Sequence, residues 1–367
     1  MPDQSQPTNR MFVIKELEGS DGTPARTIGF TDVDIAPLTF DELRAAKLHQ
    51  NLAIRLEMYN GTVVDTDIEG VNTSRYANIK TVLESPFTSR VIGLIRGGWL
   101  PSALAAHRAS TTLLVDRNVV TEIVSRFEGG AKKARDPDFV DMFADEPVRI
   151  NPLLYALEGN ARAIPGAELV AAQLAEVIAK LEKALPKARL VIGPESLNGV
   201  LGLIEDTRAG MGKRERFLMA LAPYLKDAVS GRLAEQRWKE VLEAADSCGV
   251  SRNSLVVLAA LSSVAVPGGA SPAKALLKFK DGYAASEAYN ALADLRSLEI
   301  LINLFALFPD EIIQLCTADK NLGLLWTGIR ASGFRREGDS TTFEMDPVEG
   351  LLPGKWVDKW RSDIVRK

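Results

Sequence analysis

Two kinds of hydrophobic spacing alternate along the chain, and each predicts a different kind of element. Short β-branched and aromatic runs between turn residues predict two N-terminal strands, MFVIKELEG and TIGFTDVDIA. The apolar run TTLLVD at 111–116 predicts a buried strand that leads into a helix. Residues 75–107 are predicted to be helical in two pieces, divided near Gly97 and Gly98.

The segment 39–61 allows two interpretations. Thr39 precedes Glu42 by three residues, which is the capping-box spacing, and the segment ends in Asn60-Gly61, so a helix is predicted. Because LAIRLEMY also alternates, a hairpin that turns at Asn60-Gly61 is the alternative.

Helical spacing dominates the second half of the chain. Apolar residues three and four apart recur through 166–265, which predicts a block of about five helices ended by the breakers VPGGASP. A long helix at 284–308 follows, then the buried strand IIQLCT, another helix, the strand STTFEMD and a polar tail. Strands that alternate with helices predict an α/β fold with a mainly parallel central sheet, and the block adds a large all-helical insertion.

The composition restricts the class of protein and the kinds of reactive side chain that the chain can use. A hydrophobic share of 46% with 25% charged residues excludes a disordered or collagen-like chain. The net charge of -4 provides no overall basic field, so any nucleic-acid contact needs a local patch. Two cysteines and two histidines form neither a disulfide framework nor a zinc motif, which leaves carboxylates as the candidate groups. The polar start and the interrupted apolar runs predict a cytoplasmic protein with no membrane partner.

Four acidic residues occupy unusual places in these elements. Asp116 and Asp319 each follow a predicted buried strand, and parallel strands collect functional groups at their carboxyl ends. The alternative is that both simply cap the helices that follow. Asp294 lies inside an apolar helix, where Asp is a poor helix former, and Glu158 ends the run LLYALE. For each of these acids taken alone, a solvated surface position is the alternative.

Taken in order, the segments LLVDRNVVTEI, NPLLYALEG, ALADLRSLEIL and QLCTADKNL resemble the four acidic motifs of PIN-like nucleases. The resemblance covers roughly 111–160 and 284–345 and departs from the family by the long helical insertion and the long N-terminal extension. The matching positions are Asp116 with Asn118, Glu158, Asp294, and Asp319 with Thr317.

The resemblance implies a three-layer α/β/α fold. It divides the chain into an N-terminal extension at 1–110, a PIN-like nuclease domain at 111–345 with its insertion at about 166–270, and a C-terminal tail at 346–367. The N-terminal extension is expected to be mixed α/β.

The resemblance further implies a metal-dependent endoribonuclease. Oxygen-only ligands suit Mg²⁺ or Mn²⁺. Asp116, Asp294 and Asp319 are the expected direct ligands, while Glu158 binds a second metal or orients the water. Asn118 and Thr317 are expected to hydrogen-bond the ligands or the phosphate.

An acidic site needs cations nearby to hold RNA. The candidates are Lys132, Lys133, Arg135, Arg117 and Arg296, and a merely solvated loop is the alternative for the first three.

Two other functions remain open from the sequence. One is a catalytically inactive PIN-like scaffold whose helical insertion binds protein or RNA; a protein partner or inhibitor is compatible with either function. The other is a phosphatase of the haloacid dehalogenase type, for which Asn118 stands where the general acid is required. The RNA target and the oligomeric state stay undetermined.

Overall fold

The computed structural model describes residues 11–15, 25–145, 147–158, 162–193, 195–338 and 340–365. The strands, β1 to β13 in chain order, are Phe12–Lys15, Thr27–Thr31, Asp34–Ile35, Ala53–Thr66, Tyr76–Glu84, Ile92–Ile95, Gly98–Pro101, Thr112–Val115, Arg149–Asn151, Arg189–Leu190, Ile313–Thr317, Ser332–Glu337 and Ser340–Glu344. The helices, α1 to α12, are Phe40–Ala45, Ser102–Ala105, Arg117–Arg126, Leu153–Glu158, Ala167–Ala184, Ser196–Leu225, Gly231–Cys248, Leu255–Ala265, Pro272–Leu277, Ala285–Leu307, Lys320–Ile329 and Lys355–Val365.

A six-stranded sheet in the order β10-β9-β8-β11-β6-β7 forms the centre of the molecule. The first four strands are parallel, and β6 and β7 continue the sheet in antiparallel pairing. Every residue of β8 and β11 is buried, which is why both appear in the sequence as continuous apolar runs. The mixed α/β fold with parallel strands at its centre is therefore confirmed.

Helices α5 to α8 form the block predicted between the two halves of the sheet. The two middle segments join into α6, which runs 30 residues, so that four helices replace the predicted five over this stretch. Within the described ranges, no helix is both long and apolar enough to cross a membrane.

The predicted helices at 39–61 and 75–107 are wrong over most of their length. The capping box forms, since the Thr39 amide donates to Glu42 Oε2 at 2.7 Å, but α1 ends at Ala45. Strand β4 follows and passes through Asn60, whose φ of 58° marks an irregularity in the strand, and its hairpin partner is β5. The alternating pattern decided the structure here, because β4 buries one face and β5 alternates between exposed and half-buried residues.

The turn at Gly97 and Gly98 is a hairpin between β6 and β7. Gly97 has a φ of 81°, which favours glycine. A Cβ atom on Gly98 would lie 2.2 Å from the carbonyl oxygen of Leu38, so the close approach of that backbone also requires glycine. Two glycines that divided a predicted helix therefore close a strand pair.

The domain boundary predicted at residue 110 falls between β7 and β8, which both belong to the central sheet. Strands β6 and β7 precede it, yet β6 pairs with β11 at the middle of the central sheet. The antiparallel sheet of β1 to β5 is the part of the extension that stands apart from that sheet. The C-terminal tail is the helix α12, in which Trp360 is buried and Trp356 stacks on Trp238 with ring centroids 4.9 Å apart.

Candidate active site

The carboxyl ends of β8 and β11 bring two of the predicted acids to one edge of the sheet. Val115 pairs with Cys316 in the parallel ladder, and the Asp116 amide donates to the Cys316 carbonyl at 3.3 Å. Asp116 follows β8 directly, and Asp319 follows β11 after one intervening residue. The shared edge arises because neighbouring parallel strands end on the same side.

Both acids also cap helices. The Asp116 carboxylate accepts from the Val119 amide at 2.7 Å, and Asp319 Oδ1 accepts from the Asn321 amide at 2.7 Å. Thr317 links them, because its hydroxyl hydrogen-bonds the Asp116 carboxyl and accepts from the Asp319 amide at 3.1 Å. The capping alternative from the sequence is thus present together with the clustering.

Asp294 and Glu158 approach the same edge from two helices, α10 and α4. With Asp116 they line one small cavity, whose volume is about 20 Å³. Such a space holds about one water-sized group. The remaining lining is apolar except for two residues; the full set is Asp116, Leu154, Leu157, Glu158, Ala293, Asp294, Arg296, Ser297, Ile300 and Leu322.

The carboxylates are poorly compensated. Burial raises the pKa of Asp116 to about 6, although hydrogen bonds from Thr317 and the Val119 amide act in the opposite direction. Burial, then the charges of Asp319 and Glu158, raise the pKa of Asp294 well above its usual range. Among the described residues the Asp294 carboxylate accepts no hydrogen bond.

Two arginines hold Glu158 in place. The Arg117 guanidinium lies 4.0 Å above the Tyr155 ring, donates to the Tyr155 carbonyl at 3.0 Å and has its Nε 3.9 Å from Glu158 Oε2. Nη2 of Arg296 donates to the Leu157 carbonyl. Burial raises the pKa of Glu158, and the charges of the two arginines partly offset that rise.

The predicted basic loop lies away from this cavity. Lys132 Nζ is 2.7 Å from Asp141, the Lys133 amide donates to the Arg126 carbonyl, and Arg135 donates to Ser125 at 3.2 Å. These contacts fall at the C-terminal end of α3, about 14 Å along the helix from Asp116 at a rise of about 1.5 Å per residue. Its role in RNA binding stays a prediction.

Asn118 and Lys278 do not line the cavity. Asn118 is exposed in the first turn of α3, so its expected contact with ligands or phosphate also stays a prediction. Lys278 was missed by the sequence analysis. It is exposed in a left-handed conformation with a φ of 53° at the end of α9, and its charge lowers the pKa of Asp294. Nothing in KALLKFKDG distinguishes it, because only the tertiary fold brings α9 to α10.

The donor chemistry of the cavity fits Mg²⁺ or Mn²⁺. Within the described ranges no three His, Cys, Asp or Glu side chains form a group that would hold a metal ion directly. Mg²⁺ keeps several waters and is usually held by one or two carboxylates, for which the unbonded carboxylate of Asp294 and the neighbouring Asp116 are suited.

Comparison with known proteins finds no match to this chain among protein-family models, curated proteins or solved structures.

Proposed function

We propose that this protein is a PIN-like, metal-dependent endoribonuclease. The observation that carries the proposal is the common cavity of Asp116, Glu158 and Asp294, together with the charge of Asp319 acting on the first and the third. Asp294 lies more than a hundred residues after both Asp116 and Glu158 in the chain, and acids that the fold brings together in a poorly compensated site are candidates for a functional site.

The order of elements supports the same proposal. The first acid follows β8, the second ends the helix after β9, the third lies on α10 before β11, and the fourth follows β11. This is the chain order of the four acidic motifs of PIN-like nucleases. The helices α5 to α9 interrupt the order between the second and third acids without separating them in space.

In this function Asp116 and Asp294 would hold the divalent cation directly, Asp319 would reach it through one of the waters that such an ion keeps, and Glu158 would bind a second ion or orient the attacking water. When bound, the cation activates water for attack on the phosphodiester and stabilises the leaving oxygen. Thr317 fixes the Asp116 carboxyl through its hydroxyl, and Arg117 keeps Glu158 at the cavity. The apolar wall of Leu154, Leu157 and Ile300 limits the entry of bulk water.

The test compares cleavage of single-stranded RNA in manganese and in chelator. We expect cleavage in manganese alone, and a loss of at least about a hundredfold in Asp116→Asn and Asp319→Asn. Asp310→Asn is the matched control, because Asp310 is exposed before the other end of β11. Undiminished cleavage by a folded Asp319→Asn protein would overturn the proposal.

A scaffold without catalytic activity is the second candidate. It is favoured by large apolar side chains exposed on the helical insertion, namely Met219, Tyr224 and Leu233, which are 40%, 48% and 42% exposed. Calorimetry separates the two functions. A nuclease takes up Mn²⁺ and loses that binding in Asp294→Asn, whereas a scaffold shows no uptake that depends on Asp294.

A further inference from the structure

A buried arginine in the acidic cavity has a donor without a partner. Arg296 is 3% exposed and lies on α10, two residues after Asp294. Its guanidinium hydrogen-bonds the Leu157 carbonyl through Nη2 and also the Tyr289 hydroxyl, but its Nη1 has no hydrogen-bond partner among the described residues. Buried donors in native proteins are almost always bonded, so an unbonded charged donor requires an explanation.

The residues around Arg296 indicate what kind of ligand its Nη1 would bind. Arg296 lines the small cavity that Asp116, Glu158 and Asp294 also line, so a ligand oxygen that enters this cavity lies near the guanidinium. A guanidinium binds oxyanions with particular strength. The carboxylates of Asp116, Glu158 and Asp294 belong to the same lining, yet none of them bonds Nη1.

Arg214 on α6 also contacts α10, and its guanidinium is paired with a carboxylate. Nη1 of Arg214 lies 2.7 Å from Glu299, which belongs to α10 but does not line the cavity. Arg214 is therefore a compensated structural arginine, and Arg296 differs from it in having a free donor at the acidic site.

We propose that Nη1 of Arg296 donates a hydrogen bond to a non-bridging oxygen of the substrate's phosphodiester, so that Arg296 recognises the phosphate to be cleaved. The inference rests on the proposed nuclease function and adds a substrate contact to it.

The test uses the full chain and a short single-stranded RNA. Affinity is measured in chelator, where no cleavage occurs, and the single-turnover rate is measured in manganese. For Arg296→Lys we expect affinity to fall by about tenfold or more, the usual effect of losing one hydrogen bond to a charged group, and the rate to fall with it. Arg214→Lys is the matched control and is expected to match the wild type in both.

A second variant keeps the test decisive where Arg296→Lys does not fold. Ser297 is buried and lines the cavity, and its hydroxyl bonds only the Asp294 carbonyl one turn earlier. Ser297→Val therefore replaces the hydroxyl at the cavity wall by a larger apolar side chain and leaves the guanidinium in place. We expect the same loss of RNA affinity as in Arg296→Lys.

The outcomes separate the two proposals. Wild-type affinity in folded Arg296→Lys or in Ser297→Val would show that Nη1 faces only a water molecule, and the inference would be wrong. RNA binding that falls in both variants, with no cleavage by the wild type in manganese, would overturn the nuclease function and leave the phosphate contact standing.

Discussion

Helix α3 has a group of acidic side chains at each end, and the two groups differ in how their charge is compensated. At its N-terminal end lies the cavity with Asp116, where Asp294 accepts no hydrogen bond from the described residues. At its C-terminal end the buried Arg126 binds Asp141 at 2.9 Å and Glu122 at 3.1 Å.

The C-terminal group is fully bonded. Asp138 Oδ2 accepts from the Thr88 hydroxyl at 2.6 Å and from the Arg90 amide at 2.9 Å, and its Oδ1 accepts from the Val140 amide at 3.0 Å. Asp141 receives Lys132 at 2.7 Å in addition to Arg126. Every charge in this group has a partner that suits it.

The comparison teaches that burial of acids does not by itself mark a functional site. Both groups remove carboxylates from water, which is costly unless the charge is paired. In the C-terminal group, hydrogen bonds and ion pairs within the protein offset that cost, so this group is structural. At the cavity the described residues compensate the carboxylate charges only in part, and a bound cation would supply the missing positive charge.

The largest expected effect is on the compensated group. Replacing Arg126 by Ala leaves Asp141 buried without its main partner, and breaking a buried ion pair costs about 3–5 kcal/mol. The measurement is urea unfolding at pH 7.5. Arg361→Ala is the control, since that arginine is 53% exposed in its pair with Asp346, and a surface pair contributes at most about 1 kcal/mol. Equal losses in the two variants would show that Arg126 stabilises the protein no more than a surface ion pair does.

The opposite sign is expected at the cavity. Asp116→Asn removes a charge that burial disfavours and keeps a good helix cap, so we expect the metal-free protein to gain about 1–3 kcal/mol at pH 7.5. Urea unfolding in chelator measures the gain. Asp138→Asn is the counterpart from the compensated group and should lose stability. A loss in both variants would mean that the carboxylate of Asp116 is stabilising.

The gain from Asp116→Asn should depend on pH. The pKa of Asp116 is raised from 3.8 to about 6 in the folded protein, so the folded state binds more protons than the unfolded state between these values. Wild-type stability from this group is therefore fully present below 3.8 and is lost as pH rises through 6. The difference between wild type and variant, followed by unfolding from pH 4 to 8, should grow as pH rises through that window. A difference that is constant with pH would contradict the assigned cause.

The smallest effect is expected at the basic loop. Lys132 is 43% exposed, so Lys132→Ala removes a screened partner of Asp141 and should cost less than about 1 kcal/mol. If the loop binds RNA as predicted, the variant lowers RNA affinity and the salt dependence of binding more than the single-turnover rate. A large fall in the rate with unchanged affinity would contradict this and connect the loop to the distant cavity.

Elements with one dominant spacing could be predicted from the sequence. Strands β8 and β11 are buried on both faces, and α10 is long and apolar, so each appeared close to its observed bounds. The helices predicted at 39–61 and 75–107 were wrong, because the apolar spacing of these segments fits both a helix and a strand. Pairing between strands, which is a tertiary contact, decided in favour of the strands.

The candidate site, like the fold, could be predicted only in part from the sequence. The identity and the order of Asp116, Glu158, Asp294 and Asp319 follow from local context and from the resemblance. The cavity shared by the first three acids, the Arg296 donor without a partner among the described residues, and the nearness of Lys278 to Asp294 depend on contacts between elements far apart in the chain.

By itself, the sequence determined which acids stand at strand ends and inside apolar helices, since those placements are set by neighbours along the chain. The tertiary structure alone decided which acids are compensated. Asp138 and Asp141 are compensated because Thr88 and Arg126 pack against them, a contact that no local sequence pattern specifies. Compensation is a property of distance between side chains, and that distance is created only when the sheet and its helices pack.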